Sequence, residues 1–493
     1  MPTSDRPGDR RAALIAGAAI YVLALALRLL PVFVFPSIHY PDEIFQAVEQ
    51  AHRLVYGTGL VPWEFVYGTR SWLLPGTIAW LMEFARLFGD GPDFYMPVIG
   101  ITFAALSASS ALCAFLWGRR FYGMPGGLVA GAFAALWIDL VYFAPHPLSE
   151  VAATHVLVIG AYLALPGFVV TDRERLVAAG FLLGLATLLR IQLAPAAALI
   201  ALWPQGGMSS LKMRLPWLVA GGAAMAILYG ALDAATWGTP FESIWRNIVV
   251  NLYYRVSENW GIEPWFFYID DLFAYWTALA VIVLVLARFG AYRVPWLGSA
   301  ALVIFAVHSL IGHKEWRFVY PALLLAVLSA GIGLAHGLAW LAKRRNRDGV
   351  LPGAAAVAIA LVALASGGLA TTENYRALWT TRADIVRASA LIAHLPDVCG
   401  IELDGIHWSN SGGYSLMHRD APIYWFGAED FVAHQDAFNI VLAYDRKAPP
   451  PFVEQACFGR FCVAQRPGVC ARWPMTLPET PPGLEQIAPA VRR

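Results

Sequence analysis

The sequence predicts a multi-pass α-helical membrane protein with a small C-terminal α/β domain outside the bilayer. Three observations lead there. Of 493 residues, 58% are hydrophobic and 14% charged, against about 25% charged in soluble domains. Apolar runs of the length that crosses a bilayer core about 30 Å thick recur along the chain. From about Thr372 the composition turns mixed, with short strand-like runs at 421–426 and 438–444 between turns.

The apolar segments fall near 12–36, 95–117, 125–144, 151–170, 177–204, 216–232, 273–289, 294–311, 318–342 and 350–371, with a shorter one at 73–88. The first run is too long for a signal-peptide core and lacks a small-residue cleavage site, so a retained anchor is expected. Basic clusters lie at Arg6/Arg10/Arg11, Arg119/Arg120, Arg173/Arg175, Lys212/Arg214, Arg288/Arg293 and Lys343/Arg344/Arg345/Arg347. The positive-inside rule assigns all of them to the cytoplasm. That assignment closes only if 177–204 dips in and returns as a broken hairpin while 73–88 stays at the surface. Irregular backbone at membrane depth is tolerated where it lines a cavity, and the hairpin carries Arg190 and Gln192 at its middle. Nine full spans, the hairpin and one surface helix result, with the N-terminus inside and the C-terminus outside. Residues 1–371 form the expected membrane domain and 372–493 the extracytoplasmic one.

Three outer loops follow. Residues 37–94 begin with Tyr40-Pro41-Asp42-Glu43-Ile44-Phe45-Gln46, two adjacent acids where the chain leaves the membrane. Residues 233–272 are rich in aromatics, including Trp260 and Trp265, most of which read as an interfacial belt. The third is Gly312-His313-Lys314-Glu315-Trp316-Arg317. Four of the five cysteines, Cys399, Cys457, Cys462 and Cys470, lie in the C-terminal region, where three disulfide pairings are possible. Their spacing does not match a zinc site. No Asn-x-Ser/Thr sequon occurs, which favours a bacterial inner membrane with the outer face in the periplasm over an endoplasmic-reticulum membrane with a lumenal face. A net charge of +1 gives no footing for nucleic acid.

No phosphate-binding Gly-rich loop, dinucleotide fingerprint or His-Glu-x-x-His is present. A sugar on a lipid phosphate suits this outer face, its head group at the surface and its tail among helices. Transfer of such a sugar needs one carboxylate to take the acceptor's proton, Asp42 or Glu43. It needs cations on the departing phosphate, Lys314 and Arg317 with Arg190 as a third. No metal is expected, although nothing in the residues forbids a divalent one.

Tyr40–Gln46, continuing through Glu49, Ala51-His52, Tyr56-Gly57 and Trp63-Glu64 to Arg70-Ser71, resembles the opening of the family 22 glycosyltransferases. His308 through Arg317-Phe318 resembles their His-Lys-Glu-x-Arg-Phe signature, and Trp260-Gly261-Ile262-Glu263-Pro264-Trp265 their Tyr-Gly-x-x-Pro-Trp loop. Leu189-Arg190-Ile191-Gln192 and Asp233 through Trp237-Gly238 also sit in register, and Cys399–Tyr444 is similar to the C-terminal region of the GPI mannosyltransferases. Within the family, which holds the Alg9/Alg12-type mannosyltransferases, the chain looks most like the third GPI mannosyltransferase. The resemblance implies a GT-C fold, a polyprenyl-phosphate-mannose donor and inverting transfer to a lipid-linked or membrane-presented glycan. It implies a base at Asp42 with Glu43 beside it, and phosphate-binding cations at His313, Lys314 and Arg317. Gln46, Arg70, Gln192, Trp265 and Glu315 are expected at the substrate. The family usually has a His two residues before its Asp; here Tyr40 stands there, with His39 one position earlier.

A transporter or flippase for a lipid-linked sugar would use a similar hairpin. Such proteins show repeated halves, whereas the Asp-Glu pair and the His-Lys-Glu run each occur in one loop only. A non-catalytic scaffold would not need Asp42 and Lys314 on one face.

Overall fold

The computed structural model describes residues 7–484, 487, 489 and 490. Arg6 of the first basic cluster lies outside the described residues.

Among the described residues, five helices are long and apolar enough to cross a membrane: 9–33, 92–136, 208–237, 316–344 and 352–370. The 45-residue stretch Pro92–Leu136 is two helical arms, because the backbone leaves helical geometry at Tyr122 and at Gly123, where φ is +69°. Only glycine takes that φ without strain. Gly131 then packs on Phe115, and Gly118 on Gly126 and Ala130. Sixteen residues of straight helix would hold Phe115 and Gly131 about 24 Å apart, so the arms run antiparallel, as the separate apolar runs at 95–117 and 125–144 required.

The other expected spans are less regular. Ser149–Ala164 and Pro295–Ser309 are helices of 16 and 15 residues, shorter than the about 20 that span a bilayer core. Phe267–Trp276 and Leu279–Gly290 meet at a 107° bend around Thr277, whose φ is +52°. The segment at 73–88 is a short helix, Leu73–Ala85, with Trp80 and Phe84 exposed.

The broken hairpin is present. Helix Arg173–Leu189 ends at an extended Arg190, a 3₁₀ turn follows over Ile191–Leu193, and Ala194–Ala201 leads back. Gly206 lies against Val169, so the return reaches the level where the hairpin began. Helix Met208–Trp237 then climbs parallel to the first arm: Arg173 sits over Trp217 at 4.8 Å, and Gly184 packs on Met225. The basic loops gather at this end. Arg120 and Arg175 share the Phe168 ring at 5.4 and 5.6 Å, and Arg293 sits over Phe121. Helix Tyr320–Arg344 carries Arg344 here and begins beside Arg317 at the opposite end.

Five strands form one sheet in the order β2-β1-β3-β5-β4, with β1 Ile401–Asp404, β2 Ile423–Tyr424, β3 Ile440–Tyr444, β4 Val453–Phe458 and β5 Phe461–Gln465. β1 is parallel to β2 and β3, and β5 is antiparallel to β3 and β4. One face, including Ile401, Leu403 and Leu442, packs with Ile385 and Ile392 of helix Ala383–His394 and with Ile44, Phe45 and Leu60 of the first outer loop. The buried Glu49 carboxylate fastens the same contact, accepting the Leu60, Tyr414 and Ser415 N–H groups at 2.8, 3.0 and 2.8 Å. The sheet thereby buttresses the stretch that carries Asp42. Cys399 pairs with Cys470 and Cys457 with Cys462, one of the three possible arrangements.

Candidate active site

Pro41 ends the irregular segment 36–40, and the chain turns into a wide π-helical run, Glu43–Val48. The adjacent acids part here. Glu43 turns inward and is buried; it accepts the N–H groups of His39 and Tyr40 and meets His146 Nδ1 at 2.6 Å. Asp42 faces a small polar cleft of about 80 Å³.

Arg317, Arg190, Arg70, Asp42 and Glu150 are the charged groups of the cleft wall. Arg317 pairs with Asp42 through Nη2 and donates its Nε–H to Glu315 at 2.6 Å, with Glu150 at 3.9 Å. Its guanidinium lies over the Tyr40 ring at 4.3 Å. Arg190, at the break in the hairpin, is buried; it reaches Glu150 at 3.2 Å and stacks over Phe318 at 4.8 Å. Arg70 has no carboxylate partner among the described residues. The Nε atoms of Arg70 and Arg190 are buried without a hydrogen-bond partner. An unmade donor in a buried site costs about 1–3 kcal/mol, so the cleft holds donor capacity that an anion would satisfy.

Gln46 and Gln192 also line the cleft. Gln46 donates to Glu64 at 2.7 Å. Burial, reinforced by the charge of Asp42 and opposed by Arg70, pushes the Glu64 carboxyl up to about 7.

His313, Lys314, Glu315 and Trp265 do not line the cleft. The Lys314 ammonium points into a cage of carbonyls, donating to Glu263 at 2.8 Å, to Ile311, and to Gly312 at 3.4 Å. Burial lowers its pKa against the pull of Glu263. Burial disfavours a charged His313 imidazole, yet its 3.0 Å bond to Glu315 and that carboxylate's charge leave its pKa raised. Burial likewise opposes charge on Glu315, but Arg317 and His313 hold its pKa down. His313 and Glu315 therefore back Arg317 from behind. Trp265 is 67% exposed.

Glu150 is the charged residue of the cleft that sequence reasoning missed; Thr69, Ser149, Tyr229, Ser243 and Asn247 also line it and were not singled out. Glu150 follows Pro147-Leu148-Ser149 and opens helix Ser149–Ala164, one position before the apolar run drawn at 151–170. An acid at the edge of a membrane segment was the available signal, the same that singled out Asp42.

Two kinds of similarity accompany this geometry. By structure, the chain resembles ArnT from Cupriavidus metallidurans bound to undecaprenyl phosphate, with a TM-score of 0.58, 14% identity, and coverage of 91% of this chain and 97% of that one. It also resembles the oligosaccharyltransferase AglB from Archaeoglobus fulgidus in complex with an inhibitory peptide and a dolichol-phosphate, with a TM-score of 0.53, 12% identity, and coverage of 89% and 70%. Likeness at these identities establishes the GT-C fold and nothing finer. By sequence, it is 28% identical over 319 residues to GPI mannosyltransferase 3 of Yarrowia lipolytica, covering 61% of this chain and 59% of that protein. It is 25% identical over 357 residues to GPI alpha-1,2-mannosyltransferase 3 of Mus musculus, covering 69% and 63%. The chain thus spans about three fifths of the length of these relatives. Residues 19–388 match the profile of the Alg9-like mannosyltransferase family, and with three quarters of its length inside that match the chain belongs to this family.

Proposed function

We propose that the chain is an inverting glycosyltransferase that moves mannose from a polyprenyl-phosphate-mannose donor to a lipid-linked or membrane-presented glycan. The observation that carries this reading is a single cleft holding one outward-facing carboxylate, Asp42, and three guanidiniums, two with unused donors. The undecaprenyl phosphate and dolichol-phosphate in the ArnT and AglB complexes support a polyprenyl carrier. Family membership supports mannose as the sugar.

In this reading Arg70 and Arg190 take the donor phosphate, and Arg317 joins them when the acceptor displaces it from Asp42. Asp42 removes the proton of the acceptor hydroxyl as that oxygen attacks the anomeric carbon from the face opposite the phosphate. Phosphate leaves as an anion and needs no general acid. Its developing charge falls on preorganised guanidiniums. Glu43, tied to backbone N–H groups, sets the loop and does not touch the sugar. The Arg317 guanidinium lies between Asp42, Glu150 and Glu315, where a divalent cation would compete with it, and this supports a metal-independent reaction.

We place the cleft outside the cytoplasm, in a bacterial periplasm. The gathering of basic loops at the far end supports this under the positive-inside rule, as do two disulfides in the region beside the cleft. Residues 1–371 serve as the catalytic membrane domain and 372–493 as the outer buttress.

The test uses the purified, membrane-reconstituted protein and radiolabelled polyprenyl-phosphate-mannose. Asp42→Asn keeps the shape and removes the base, and base catalysis is worth about 10²–10⁴-fold. Turnover should fall at least that far while the donor still binds. Wild-type turnover in Asp42→Asn would contradict the assignment.

A further inference from the structure

Glu150 has no part in the transfer as written above, yet it is the most fully engaged carboxylate of the cleft. It is 2% exposed. Oε1 lies 3.2 Å from Arg190 and 3.9 Å from Arg317, and Oε2 accepts the Ser149 hydroxyl at 3.0 Å. The other charged groups facing it are Arg70 and Asp42 across the cleft, with His308 buried behind it.

We propose that Glu150 sets the cleft's charge so that a phosphodiester is held and a phosphomonoester is released. The inference rests on the donor reading above. The charged groups lining the cleft are three guanidiniums and two carboxylates, a net charge of +1; Glu315, behind Arg317, is matched by its partner His313 and is counted with it as a pair. A polyprenyl-phosphate sugar is a diester carrying one negative charge, and the bound state is balanced. In the transfer the anomeric carbon–oxygen bond breaks and its electron pair goes to the phosphate oxygen. The acceptor oxygen forms the new bond and its proton passes to Asp42. The product is now a monoester with two negative charges, since the second pKa of such a phosphate is about 6. Protonation of Asp42 raises the wall to +2, and the product is still balanced. When Asp42 gives its proton to water, the wall returns to +1 and faces an excess negative charge. Product departure is thereby coupled to resetting the base. Without the Glu150 charge the reset wall would stay at +2 and would hold the product as well as it held the donor.

The experiment measures binding of citronellyl phosphate, a short-chain monoester, and of its methyl diester, at pH 8 in detergent. In Glu150→Gln the ratio of diester to monoester Kd should rise by about tenfold, the scale of one unit charge at a partly screened distance. Pre-steady-state turnover should show a burst followed by slow product release. Glu150→Asp keeps the charge and should keep the wild-type ratio, which controls for folding. An unchanged or lower ratio in Glu150→Gln would mean that Glu150 only props Arg190, and would overturn the proposal. Failure of the wild-type protein to bind either probe would instead overturn the donor reading on which it rests.

Discussion

The arginine cleft and the His313–Lys314 loop are both cationic and no more than four residues apart at Arg317. They differ in what their donors do. Lys314 spends its ammonium protons on the carbonyls of Glu263, Ile311 and Gly312. Arg70 and Arg190 keep buried Nε–H groups that nothing among the described residues accepts. Under the proposed function, charge alone does not tell these two apart as anion sites, and spare donor capacity in the wall does. A satisfied lysine stabilises its loop, whereas an unsatisfied arginine pair is strain that a ligand relieves.

The largest expected effect falls on the cleft. Arg190→Ala and Arg70→Ala should each cost about 1.5–3 kcal/mol of donor affinity, the worth of a hydrogen bond to a charged group, read as a rise in donor Kd. A guanidinium fork is poorly replaced by an ammonium, so Arg190→Lys should recover little. Full donor affinity in both alanine variants would break the comparison from the cleft side.

Glu43→Gln should come next. It leaves Asp42 in place but alters the acceptor of two backbone N–H groups and the partner of His146. Turnover should drop less than in Asp42→Asn, with the loss appearing in thermal stability as well. Abolished turnover with unaltered stability would move the base from Asp42 to Glu43.

Lys314→Ala sharpens the comparison from the other side. Donor Kd should stay within about twofold, while the three freed carbonyls lower stability by about 1–3 kcal/mol. A donor defect matching that of Arg190→Ala would return Lys314 to the phosphate.

The smallest effect concerns a buried carboxylate with no arginine in contact. Burial pushes Glu402 of β1 up to about 8, aided by Asp404 and opposed by a 2.9 Å N–H from Phe426. A carboxyl raised above its unfolded value of about 4.3 contributes stability fully present below that value and lost as pH climbs through the folded pKa. Thermal melting at pH 6 and pH 9 should show the wild type losing more than Glu402→Gln. Equal losses would contradict it.

Much of this was readable in sequence because a charge in an apolar chain is expensive and conspicuous. Asp42, Arg190 and Arg317 each sit at an end or break of an apolar run, and all three line the cleft. The hairpin was forced by basic residues on both its flanks. What sequence could not give is the direction of a side chain at an irregular turn. The π-helical run at Glu43–Val48 separates Asp42 from Glu43, and the 3₁₀ turn at Trp316–Val319 sends Arg317 inward while Lys314 stays in its carbonyl cage. Glu150 was hidden by a run drawn one residue too late. The 107° bend at Thr277 breaks a segment whose composition reads as an ordinary span. Strands β1, β4 and β5 were missed because β1, buried along its whole length, does not alternate, and the disulfide pairing has no sequence signature.

The central claim is that the donor phosphate binds the unsatisfied arginines. A structure of the protein in complex with a polyprenyl phosphate tests it most directly. The account predicts phosphate oxygens at hydrogen-bond distance, about 3 Å, from Arg70 and Arg190, with the prenyl chain running from the cleft toward the bilayer. A phosphate seated against His313 and Lys314, with Arg70 and Arg190 untouched, would contradict it.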